Sequence, residues 1–131
     1  MMTEEICTYE VAKLAKEKGF KWKCRDYYNM YSELRVNGIY AIEYTNSQID
    51  DGYMTAPTQS QLQKWLREEK KLHIEIIATA SGYYWVLNKT NGTSITDSDV
   101  LDRWTNEDSG RFDIYEQALE DALKYSLENL V

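Results

Sequence analysis

The sequence predicts an α+β fold: an antiparallel β-sheet with packed helices, in the rough order α-β-β-β-α-β-β-(β)-α. Three observations carry this. Apolar residues recur at helical spacing in three stretches, near residues 9–18, 58–71 and 113–130. The period switches to strand spacing directly after the second of them, from Leu72 to Thr79. Glycine-bearing turn signals, Asn37-Gly38, Ser81-Gly82 and Asn91-Gly92, stand between short apolar runs and read as hairpins.

In chain order, residues 1–7 read as a short extended lead-in. Thr8 is placed to cap a helix from Tyr9 to about Lys18, whose stripe is Val11, Leu14 and Ala15. Gly19 ends it, with Phe20 folding back on the last turn. Residues 22–44 read as β structure: a strand from Arg25 to Met30, then a hairpin of Leu34–Val36 and Ile39–Tyr44 about Asn37-Gly38. Thr45 to Thr55 is polar and reads as a surface loop. Thr58 caps the next helix after Pro57, with Gln61 set to complete a capping box. Leu62, Trp65 and Leu66 form its buried stripe, so Trp65 is expected in the core. Lys70 and Lys71 sit at its C-terminal end, where the dipole favours cations. Leu72, Ile74, Ile76 and Ala78 then share one strand face. Tyr83 to Leu87 is the returning strand and Thr93 to Thr96 a short third one. Residues 97–112 are acidic and suit a short helical turn. Asp113 is placed to cap the last helix, whose stripe is Ala118, Leu119, Ala122, Leu123, Ser126, Leu127 and Leu130. Glu116, Glu120, Asp121 and Glu128 are expected to face water.

At 131 residues the chain reads as a single domain, residues 1–131. No apolar run approaches membrane-spanning length. The start, MMTEEICTYE, has no apolar signal core, which points to the cytoplasm. Cys7 and Cys24 are expected as reduced thiols there. The net charge of −7 is concentrated at one end: residues 97–131 carry 10 acids and 3 bases, whereas residues 1–96 balance. That disfavours nucleic acid at the C-terminal end.

Catalytic constellations are wanting. His73 is the only histidine and no nucleophile motif surrounds it, so it reads as a surface strand residue. The two cysteines and one histidine do not have zinc spacing. Asp97-x-Asp99-x-x-Asp102 lacks the glycine and the ligand spacing of a calcium loop. There is no P-loop and no GxGxxG. The expectation is a non-enzymatic protein without metal or cofactor. The 11 tyrosines and 4 tryptophans suit either an aromatic core or an interface. The candidate binding face runs through Lys13, Lys16, Lys18, Lys21, Trp22, Lys23, Arg25, Tyr27 and Tyr28. Bases interleaved with aromatics can track phosphates and stack bases. The competing reading is a solvated lysine face over an aromatic core. Edge strands carrying tyrosines point to a homodimer.

Three stretches, YEVAKLAKEKGFKWKCRDYY at 9–28, APTQSQLQKWLREEKKLHIEI at 56–76 and FDIYEQALEDALKYSLENLV at 112–131, resemble a family of small uncharacterised proteins found in phages and integrated prophages of gut anaerobes. They cover about half the chain, which departs from the family pattern by a longer insert at about 29–55. The resemblance implies a phage-related, cytoplasmic, non-enzymatic protein. The function expected is binding to a host or phage protein, with nucleic-acid binding through residues 13–28 as the alternative.

Overall fold

Two threonines start the first two helices by the same device. In the computed structural model, which describes residues 5–36, 43–49, 52–80, 82–90, 92–96 and 112–131, α1 spans Tyr9–Glu17 and α2 spans Gln59–Glu69. Thr8 Oγ1 accepts from Val11 N at 3.3 Å, and Thr58 Oγ1 accepts from Gln61 N at 3.1 Å. Each bond satisfies one amide that the first helical turn leaves without a partner. The capping box at Thr58 is not completed. Gln61 instead donates its side-chain amide to Lys23 O at 2.6 Å, because the chain before Tyr27 passes within its reach. Gly19 takes φ +90 at the end of α1, where Phe20 N bonds back to Ala15 O and the Phe20 ring is buried.

The fold is α+β. Among the described residues the strands form two antiparallel three-stranded sheets. The first holds β1 (Tyr27–Tyr28), β2 (Leu34–Arg35) and β3 (Met54–Thr55), in the order β2-β1-β3. The second holds β4 (Leu72–Thr79), β5 (Gly82–Lys89) and β6 (Ser94–Thr96), in that order. The closing helix, α3, spans Tyr115–Asn129.

The expected element order holds, with Met54–Thr55 as the third described strand, while most of the expected Ile39–Tyr44 strand lies outside the described residues. Leu34–Arg35 pairs with Tyr27–Tyr28, and Tyr44 pairs with Cys24. The Asn29 side chain makes the turn that allows this: its Oδ1 accepts from Tyr31 N and Glu33 N, and Ser32 takes φ +64. The Asn37-Gly38 turn itself lies outside the described residues. So does the helical turn expected within 97–111. The polar 45–55 connection is not wholly a surface loop, since Met54 and Thr55 are buried and pair with β1. Asn46 pins it by bonding Phe20 O and Thr55 N.

The main core gathers Val11, Ala15 and Phe20 from the first helix and its cap. To these it adds Leu62, Trp65 and Leu66 from α2, Trp85 and Leu87 from β5, and Leu119, Leu123 and Leu127 from α3. Trp65 is 4% exposed, with its ring edge-on to Phe20 at 5.4 Å and Lys70 Nζ 5.3 Å from its centroid. A second cluster, Ala12, Tyr28, Met54 and Ala56, joins the first sheet to α1. Strand alternation in β4 holds for Leu72 and Ile74, then fades: Ala78 is exposed where the hairpin runs past the helices.

The third helix begins later than the sequence suggests. Ile114, not Asp113, stands at its N-cap position, and no side chain caps it. Phe112 is tied to the β5 edge by two backbone bonds with Tyr83, so the chain must first turn off the sheet. Glu120 and Asp121 do not simply face water. Glu120 Oε2 accepts from Thr8 N at 2.9 Å and Thr8 Oγ1 at 2.7 Å, while its Oε1 accepts from Gln59 Nε2 at 2.8 Å. One carboxylate thus sits at the N-termini of both α1 and α2, where helix dipoles favour it. Asp121 Oδ2 accepts from the indole N–H of the fully buried Trp85 at 2.8 Å.

Candidate functional site

The segment between α1 and β1 separates its aromatics from its bases. Lys21, Lys23 and Arg25 are exposed. Trp22 is half-buried and packs beside Phe20 at 6.4 Å. Tyr27 is half-buried, stacked on Tyr53 at 5.9 Å and edge-on to Tyr44 at 6.3 Å. Tyr28 belongs to the core: it is 8% exposed and its hydroxyl donates to Cys7 O at 2.6 Å. Burial, then Cys7 and Glu120 nearby, push its phenol up to about 12. The expected basic–aromatic binding face therefore splits. Its bases reach solvent, whereas its rings pack on other rings. Of the lysines on α1, Lys13 is exposed and Lys16 donates to Tyr53 O at 2.9 Å.

The bases instead line a different feature. An open groove of about 580 Å³ runs between the 23–26 segment and the start of α2. Ile6, Val36 and Ala56 give it apolar lining, and Thr58 and Gln61 add polar groups. Lys23 and Arg25 meet Asp26 and Glu43 around it, two bases against two acids. Local structure places each of these. Ile6 is held by its bridge to Thr58, and Ala56 N bonds Asp26 O at 2.9 Å. The Cys24–Tyr44 bridge carries Glu43 to the same side. A volume in this range suits a ligand or a peptide segment.

Ile6, Val36, Ala56 and Glu43 carried no functional signal in the sequence. Isolated aliphatics read as core, and Val36 is nevertheless 68% exposed. Met30, Tyr31 and Leu34, on the β1–β2 hairpin, are likewise exposed at 55%, 75% and 39%. A smaller hollow of about 180 Å³ lies among Tyr27, Tyr44, Tyr53, Gln48 and Ile49. Its rings already pack on one another.

The two thiols are free and buried. Burial raises Cys7 well above the ordinary thiol value and pushes Cys24 up to about 11, which keeps both in the weakly nucleophilic thiol form. His73 is exposed on β4, opposite Asn88. Among the described residues no three His, Cys, Asp or Glu side chains cluster as metal ligands would. No helix of the described residues is long and apolar enough to cross a membrane. No family model, curated protein or solved structure matches the chain.

Proposed function

We propose that this chain is a small phage-derived interaction protein. On this reading it acts in the cytoplasm, without chemistry of its own, by binding a segment of a host or phage protein in the groove beside Lys23 and Arg25. The observation that carries the reading is the composition of that groove: apolar lining from Ile6, Val36 and Ala56, with both signs of charge around it. Protein interfaces combine an apolar centre with a polar rim in this way. A polyanion asks for the opposite, a surface of one sign. Asp26 and Glu43 beside the bases therefore count against the nucleic-acid alternative, as does the burial of Tyr28.

The test is affinity capture from cytoplasmic extracts of several hosts, with wild type beside a Lys23→Glu/Arg25→Glu variant and an Ile6→Asp variant. The expected result is a protein retained by wild type and lost from both variants while the melting temperature of the charge variant is unchanged. Failure to retain any protein that depends on the groove would count against the reading. A mobility shift of nucleic acid at low salt, abolished by the charge variant, would favour the alternative instead.

A further inference from the structure

The outer edge of β2 carries a self-complementary pattern. No other described strand pairs with that side of β2. The backbone geometry fixes which groups it offers. Asn29 N donates to Glu33 O at 3.0 Å, so the Glu33 carbonyl faces β1. Peptide groups alternate in direction along an antiparallel strand. Leu34, paired with Tyr28, therefore turns both its N–H and its C=O away from β1. These are the two groups through which a residue on a molecular two-fold axis pairs with its own copy.

The side chains fit the same axis. Antiparallel pairing about Leu34 sets Glu33 of one copy opposite Arg35 of the other, and Arg35 opposite Glu33. Within one chain these two already form an ion pair at 3.1 Å on one face of the strand, each about half exposed at 55% and 54%. Doubling it across the axis gives a ring of alternating charge. The opposite strand face carries Leu34 and Val36, exposed at 39% and 68%, and an exposed apolar strand edge is a surface that proteins ordinarily blunt or cover.

We infer that this chain associates with a second copy of itself by antiparallel pairing of β2 with β2 about Leu34, making one continuous sheet of β3-β1-β2 and its mate. The inference does not rest on the groove reading. The groove is open to a partner in a monomer and in a dimer alike, and the two readings fail by different measurements.

Light scattering across a concentration series tests it. Wild type should move from 15.4 kDa toward twice that mass as concentration rises. Glu33→Arg and Arg35→Glu each place like charges opposite one another twice, and each should weaken association about tenfold or more. Mixing the two variants restores both opposite-charge pairs, so the mixture should dimerise like wild type. Circular dichroism of each variant establishes that it folds, and Arg35→Glu leaves the Asn29–Glu33 contact in place if Glu33→Arg does not. A wild type that stays at 15.4 kDa throughout overturns the inference. So does a dimer whose mass neither variant changes, or a mixture that stays as weak as its parts.

Discussion

Glu120 holds more of this structure together than its neighbours in sequence suggest. Its two oxygens reach Thr8, the N-cap of one helix, and Gln59, the first residue of another, from a third helix. Glu120→Gln removes the charge and can reproduce only part of this bonding. It should cost about 1–2 kcal/mol in urea unfolding, since bonds to a charged acceptor at part-exposed sites are worth that much. Read as sequence, Glu120 and Asp121 are two acids on the polar side of an amphipathic helix, and nothing local distinguishes them from Glu128. Their partners come from residues 112 and 36 positions away, a separation no periodicity encodes. Cys24 and Tyr28 carry a pH dependence of definite sign. Their folded values, about 11 and about 12, lie above the ordinary 9.0 and 10.0. The fold favours their neutral forms. That contribution is complete below about pH 9 and is lost as pH rises through the folded values. Between pH 9 and 11 the melting temperature of wild type should therefore fall more steeply than that of Cys24→Ser. Parallel slopes would contradict the assignment.

At the scale of elements, the parts that were legible are those with strong local signals. The Thr8 and Thr58 caps, the Gly19 stop and the stripe of Leu62, Trp65 and Leu66 all lie where capping chemistry and helical spacing put them. So does the 72–89 hairpin, whose apolar alternation precedes a glycine turn. The first sheet was not legible in detail. A two-residue strand such as Met54–Thr55 has no period to detect, and the turn at Asn29 is made by a side chain in place of glycine. The buried Trp65 leads to a specific expectation. Trp65→Ala deletes a core ring packed against Phe20 and should cost about 3–5 kcal/mol by thermal or urea unfolding. A loss of a few tenths would mean the ring is not packed as described. Lys71 gives the opposite sign. It holds φ +59 just after α2, a conformation that strains a residue with a Cβ. Lys71→Gly should raise stability by about 1 kcal/mol, less the bond from Lys71 Nζ to Glu68 O.

For the whole molecule, the division of labour is between a core built on α2, the β4–β5 hairpin and α3, and a smaller sheet that carries the candidate surfaces. Composition left open whether the abundant aromatics build the core or an interface, and the structure places Trp65, Trp85 and Phe20 inside the first part. Nor did it single out the second part, because exposed Val36, Leu34 and Tyr31 look like core residues until the strands are placed. Of the bases of the 13–28 stretch, Lys13, Lys21, Lys23 and Arg25 are exposed whereas Lys16 and Lys18 are half-buried, and Lys23 and Arg25 share their groove with Glu43 and Val36 and not with a bank of free rings. The proposed function requires that the groove beside Lys23 meets another protein. Site-specific photo-crosslinking in living cells tests it most directly, with the reactive group at Lys23 on the groove and, as control, at Lys64 on the exposed face of α2. The expected result is an adduct with a different protein from position 23 and not from position 64. An adduct with nothing but the chain itself, or the same adducts from both positions, would contradict it.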